Sequence, residues 1–203
     1  MKYIGSVMSV CLLWLLSFVP TSIWANDFCG IKNTTFKSGE KLRFKVFYNL
    51  SAAWIGAGEA TFTTKIATMQ GKPAYHITGY GATYPSYDWI FKVRDTYESY
   101  IDTATMLPAR FKRDVKEGGY SFTNDVTFYQ DINKAVSKGK SFKTPTCVQD
   151  VLSSIYYARN IDYSKYKVGD KIPFSLFLDD EVFEIYIRYL GKEKITTKYG
   201  TFN

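Results

Sequence analysis

The chain has 203 residues, 18% of them aromatic, a formal net charge of +7 and a single histidine. That is one domain's worth of sequence, with ample apolar side chains for a core. The basic excess is dispersed among Asp and Glu, and no run of Lys and Arg suits nucleic acid, so no nucleic-acid partner is expected.

Met1-Lys2 followed by an apolar run over residues 4–19 is a secretory signal pattern. Pro20 ends the run, and Ile23-Trp24-Ala25 offers a cleavage site. The run falls short of the roughly 20 apolar residues a membrane anchor needs. Cleavage after Ala25 is therefore expected, giving residues 1–25 as signal peptide and 26–203 as one β-rich domain with no membrane span. Removing 25 of 203 residues leaves 178, and the loss of Lys2 takes the charge from +7 to +6. No lipid-attachment pattern precedes Cys11 or Cys29. Export leaves Cys29 and Cys147, which in an oxidising compartment read most simply as a disulfide. A thiolate at Cys147, placed at a helix N-terminus, is the sharper alternative, and two inert thiols are the third.

The first hairpin pairs residues 41–50 with 54–66 around Ser51-Ala52-Ala53. Its register sets Tyr48, Val46 and Phe44 opposite Gly56, Gly58 and Ala60, with Lys45 opposite Glu59 on the other face. Large residues over small ones fit a bent or bulged strand, or a close crossing. The functional alternative is a groove floor at Gly56 and Gly58 where a ligand lies on bare backbone. A strand over residues 74–82 carries His76, read as a hydrogen-bonded structural residue. The connection Tyr84-Pro85-Ser86-Tyr87-Asp88-Trp89 follows, and its aromatics either line a sugar or acyl site or cap the end of a β-core.

Residues 91–130 read as a three-stranded meander. Gly118-Gly119 closes a two-residue hairpin, which sets Val115 against Phe122, Phe111 against Val126 and Lys112 against Asp125. The preceding strand, 91–101, is expected to place Tyr97 opposite Phe111, Glu98 opposite Arg110 and Arg94 opposite Asp114. That register brings Asp95, Arg113 and Asn124 into one row on the apolar face. Such a row is either a structural ion pair fixing register, or a ligand contact.

Residues 134–145 are basic and turn-rich, with a short strand near 141–143. Thr146-Cys147-Val148-Gln149 matches a capping box, and Val148, Val151, Leu152 and Ile155 follow at helical spacing, so a helix is expected over about 147–159. Strands at 172–178 and 182–190 flank a turn at Asp179-Asp180 and pair Phe174 with Ile185 and Leu176 with Phe183. A last hairpin starts at Ile195 and turns near Tyr199-Gly200. Its position at the end of the chain reads as a C-terminal truncation that leaves an open sheet edge.

After the expected cleavage, one His and two Cys exclude His-rich and Cys-rich zinc sites, and no nucleophile elbow, phosphate loop or dinucleotide fingerprint is present. No metal or cofactor is expected. Cys147 with His76 is the one nucleophile–base pair that remains, and it needs a free thiol.

The blocks Gly39-Glu40-Lys41-Leu42, Trp54-Ile55-Gly56-Ala57-Gly58-Glu59-Ala60, Tyr87-Asp88-Trp89 and Val168-Gly169-Asp170-Lys171-Ile172 resemble the domain-of-unknown-function 3108 family in its own order. The likeness covers about residues 30–203 and is nearest to exported members from Bacteroidetes-type bacteria. It implies a periplasmic or outer-envelope setting in a Gram-negative cell, and the family name offers no activity or catalytic residues to carry over.

The expected fold is mainly β: a curved antiparallel sheet, or half-barrel, packed on one α-helix. The expected function is non-catalytic binding of an amphiphilic lipid or a glycan on a concave sheet face. Gly56, Gly58, Tyr84, Trp89, Asp95, Arg113 and Asn124 are its candidate contacts. The alternative is an envelope assembly module that binds another protein through a sheet edge. A thiol-dependent enzyme is the third reading.

Overall fold

The computed structural model describes residues 29–50, 53–197 and 199–202, so the signal-peptide reading lies outside the described residues. Eight strands form an antiparallel meander in chain order. They are β1 (Lys41–Leu50), β2 (Ala53–Met69), β3 (Lys72–Thr83), β4 (Arg94–Asp102), β5 (Pro108–Glu117), β6 (Tyr120–Tyr129), β7 (Lys134–Ser137) and β8 (Lys140–Lys143). The sheet is open and uncurled, with β1 and β8 as its edges, so the half-barrel form of the expectation is not realised.

Tight turns set the registers. Gln70-Gly71 joins β2 to β3 and Lys138-Gly139 joins β7 to β8, with both central residues of each at positive φ. That is the type I′ hairpin geometry, whose twist matches the strands it connects. The basic 134–145 segment is therefore a complete hairpin rather than a short strand in a loop.

The β5–β6 register is the expected one, with Val115 opposite Phe122 and Lys112 opposite Asp125. The β4–β5 register is two residues away from the expected one. Tyr97 faces Arg113, Glu98 faces Lys112 and Ser99 faces Phe111. The slip keeps each side chain on its face, because the strand period is two. The expected charge pairs are satisfied elsewhere. Arg94 grips Asp88 at 2.6 Å, and the Arg110 Nε donates to Asp125 at 2.8 Å. In β1–β2 the expected pairs hold through Val46–Gly58, then an irregularity between Val46 and Phe47 sets Phe47, not Tyr48, against Gly56.

The one α-helix among the described residues, α1 (Val151–Ala158), is shorter than the expected 147–159. Its N-cap is Asp150, in a capping box with Ser153 rather than one between Thr146 and Gln149. The backbone of Gln149 is spent elsewhere. Its N–H donates to the Ser175 carbonyl and its carbonyl accepts from Phe177, both at 2.9 Å, so this segment is extended. Those partners lie on β9 (Lys171–Leu178), which pairs with β10 (Glu181–Arg188) through the expected Asp179-Asp180 turn and the expected Phe174–Ile185 and Leu176–Phe183 pairs. β11 (Ile195–Thr197) and β12 (Gly200–Phe202) form the last hairpin.

The core lies between one face of the large sheet and the layer of α1 and β9. Ile77, Ile101, Phe111, Val126 and Phe128 come from the sheet, Leu152, Tyr156 and Tyr157 from α1, and Ile172, Phe174 and Phe177 from β9. A strap ahead of β1 closes one side. Phe36 sits edge-on to Tyr75 and Tyr156 at 5.0 and 4.8 Å, and Glu40 takes a two-pronged bond from Arg159 at 2.7 and 2.8 Å. A disulfide between Cys29 and Cys147 ties the strap to the segment entering α1.

Candidate functional site

Side chains on the helix side of the sheet fall into cross-strand rows. One runs Thr64–Ile77–Ser99–Phe111–Val126–Ser137 and lies under α1. There the Ser99 hydroxyl donates to the Asp150 carboxyl at 2.6 Å, and the Thr64 hydroxyl meets the Tyr156 hydroxyl at 3.4 Å. The next row, Phe62–Gly79–Tyr97–Arg113–Asn124, is the last one the helix reaches. Leu152 lies 3.5 Å from where a Cβ on Gly79 would stand. Beyond it run Phe44, Ala60, Gly81 and Asp95, and nothing lies within 4 Å of the Cβ position of Gly81. The cover ends here and the sheet continues.

This uncovered end has an apolar floor. Phe44, Val46 and Tyr48 project on the helix side of β1 and are 52%, 38% and 56% exposed. The connection after β3 folds back as a wall. Its Tyr84 amide donates to the Ala57 carbonyl at 2.9 Å, and residues Pro85–Tyr87 make one 3-10 turn. Asp88 accepts from the Thr83 hydroxyl at 2.7 Å and from Arg94 at 2.6 and 3.1 Å. The Thr83 hydroxyl and the Arg94 guanidinium hold the Asp88 carboxyl below its usual range. So fixed, the wall encloses a cavity of about 370 Å³ lined by Tyr48, Ile55, Ala57, Thr83, Tyr87, Ile90 and Phe91.

The polar border of the floor is acidic. Asp95 is buried and accepts from the Lys116 amide at 2.9 Å. The charge of Asp95, then burial, raises the pKa of Glu117. Burial first, and the Asp95 charge second, raise the Tyr97 hydroxyl. The oxygens of the Asp95 and Glu117 carboxyl groups are hydrogen-bond acceptors at the border of the floor.

The expected site residues divide among three places. Gly58, Asp95, Arg113 and Asn124 are on the helix side. Gly58 is a close crossing rather than open floor, because a Cβ there would stand 2.4 Å from the Ala82 carbonyl oxygen. Asp95, Arg113 and Asn124 do not form one row: Arg113 and Asn124 are paired, and Asp95 is displaced by the two-residue slip. Arg113 instead bonds Asp179 in the β9–β10 turn and lies 4.6 Å over the Phe122 ring, while Asn124 accepts from Ser137 at 3.1 Å. The first is a clamp between layers, and the second is a tie between neighbouring strands of one sheet. On the opposite face, Phe47 packs 3.3 Å from the Cβ position of Gly56, and the Tyr84 hydroxyl donates to Glu59 at 3.3 Å. Trp89 is 83% exposed on the wall, with its indole N–H on the Ser86 carbonyl at 2.9 Å.

Sequence reasoning missed Gly81 and the cavity residues Tyr48, Ile55, Ile90 and Phe91, whereas Tyr87 belongs to the aromatic connection it had marked. A usable signal was present: Gly79-Tyr80-Gly81 places two glycines on one face of a strand, a pattern that weakens a strand unless the bare backbone is wanted.

Both candidate cysteine sulfurs are joined, so neither is free as a nucleophile in this state. Cys147 stands three residues ahead of the N-cap and not at the helix start. His76 lies 2.7 Å from Glu98 and stacks on Tyr100 at 4.3 Å. Among the described residues no group of three or more His, Cys, Asp and Glu is placed to hold a metal ion. No described helix is long and apolar enough to cross a membrane.

A family model whose description is "Protein of unknown function (DUF3108)" matches residues 43–203. No curated protein and no solved structure matches the chain.

Proposed function

Taking as premise that this chain belongs to the DUF3108 family of proteins of unknown function, we propose that it is a non-catalytic carrier or sensor of an amphiphile. The ligand lies on the helix-side floor beyond α1. The observation that carries this reading is the open space over Gly81 beside the apolar cavity, at the point where the helix stops covering the sheet. Ligand pockets are typically apolar clefts of roughly 300–1,000 Å³ with a few convergent polar groups. An acyl or other apolar tail fits among Tyr48, Ile55, Ile90 and Phe91. Asp95 and Glu117 favour a head group with hydroxyl or ammonium donors. An amphiphile suits this lining better than a bare glycan, which needs more polar partners than the floor provides.

The setting belongs to the same proposal: export to the periplasm or outer-envelope periphery of a Gram-negative, Bacteroidetes-type cell. The N-terminal apolar run and the disulfide support it, since disulfides persist in oxidising compartments.

Titration with 11-(dansylamino)undecanoic acid, followed by dansyl emission, tests the reading. Saturable binding is expected in the parent protein. Gly81→Leu is expected to remove it while leaving the melting temperature near that of the parent, because the new side chain enters empty space. Equal binding by both proteins, or none by the parent, would overturn the proposal.

A further inference from the structure

The β1 edge is built differently from the other edge of the sheet. β8 is four residues long, the short kind of edge that resists pairing with other chains. β1 runs ten residues without proline, and the extra residue of its irregularity falls on β2, at Ala57. It has one neighbour, β2, among the described residues. From Lys41 to Val46 its side chains alternate between charged and apolar. Lys41, Arg43 and Lys45 project on one face, followed there by Phe47, and Leu42, Phe44, Val46 and Tyr48 project on the other. The cations are largely uncompensated: Arg43 has Glu59 at 3.9 Å, and Lys41 and Lys45 have no ion-pair partner within 4.0 Å among the described residues.

Lysines alone often serve to keep an edge unpaired. Here the row behind them is exposed and aromatic, so the edge is charged on one face and adhesive on the other. A strand added to β1 satisfies both faces only if its own side chains alternate in the same period. It must be acidic opposite the Lys and Arg row, and apolar opposite Phe44, Val46 and Tyr48. A second copy of β1 does not meet that condition, because β1 carries no acidic residue to set against the Lys and Arg row.

We propose that β1 is a strand-addition site for an extended protein segment of alternating acidic and apolar residues. The backbone ladder gives affinity, and the Lys41–Arg43–Lys45 row gives selectivity. This site borders the amphiphile floor and shares Phe44, Val46 and Tyr48 with it, but it is defined by the open backbone edge of β1, whereas the floor is reached through Gly81.

The test is fluorescence anisotropy of the full chain with a labelled short peptide of alternating glutamate and valine. Three comparisons accompany it: the lysine–valine counterpart, a glutamate–valine peptide methylated on alternate backbone nitrogens, and the Arg43→Glu/Lys45→Glu variant. Saturable binding of the acidic peptide is expected, weakened about tenfold or more by charge reversal, by methylation and by salt. Gly81→Leu is expected to leave this binding intact while abolishing that of the acyl probe, so the two proposals fail separately. Equal binding of the lysine peptide or of the methylated peptide would overturn the inference. So would absence of binding, or sedimentation showing that the chain self-associates through this edge in place of taking up the peptide.

Discussion

Glycine acts here in opposite ways at positions a few residues apart. At Gly58 the absent Cβ lets β3 come close, since an added methyl would stand 2.4 Å from the Ala82 carbonyl oxygen, and backbone cannot step aside. At Gly56 the neighbour is the Phe47 ring at 3.3 Å, which can turn. Gly58→Ala is therefore expected to destabilise the protein by about 1–3 kcal/mol, as overpacking does. Gly56→Ala is expected to cost clearly less, and urea-unfolding midpoints of the two variants check the order. Gly81 has neither neighbour, and its open space is what the function is read from. The sequence pattern singled out Gly56 and Gly58 because large residues faced them across β1. It passed over Gly81 because strand pairing alone does not say where a helix stops covering a sheet.

The elements that depend on local chemistry were legible and those that depend on competition were not. Gly118-Gly119 and Asp179-Asp180 mark turns that exist, and the β5–β6 and β9–β10 registers follow from them. The β4–β5 register did not follow, because its loop lacks a two-residue turn and its charges had better partners at Asp88 and Asp125. The helix start was misplaced for a similar reason. A Thr146 cap is plausible locally, but Gln149 joins β9, and the cap passes to Asp150. That cap is buried, with its carboxyl oxygen on the Leu152 and Ser153 amides at 2.8 Å each. Burial pushes its pKa up to about 6, against the pull of those hydrogen bonds. The folded state thus keeps a proton that the unfolded state releases nearer pH 4, so stability falls as pH rises between about 4 and 6. Asn at this position caps equally well and can donate to Ser99. Asp150→Asn is expected to lose that decline, seen as a flatter run of urea midpoints between pH 4 and 7 than the parent's. Parallel curves for the two proteins would contradict it.

At the scale of the whole molecule, an eight-stranded meander longer than its cover explains why one end is packed and the other is bare. The α1–β9 layer is fastened to the sheet by Ser99–Asp150, by Arg113–Asp179 and, through the strap, by the Cys29–Cys147 bridge. Arg113, which register had marked together with Asn124, belongs to this fastening, while Asn124 bonds Ser137 within the sheet. Asp95 and the aromatic connection at Tyr84–Trp89 border the bare end. The β-rich class and the disulfide partners were readable from alternation and cysteine count. The location of the site was not, since it is set by the length of an eight-residue helix against a sheet many residues tall. Native, non-reduced mass spectrometry of the protein purified without detergent tests the central claim most directly. The account predicts a polypeptide carrying its disulfide together with a bound species of discrete mass that organic solvent releases and Gly81→Leu lacks. A bare polypeptide mass from the gently prepared parent protein would contradict it.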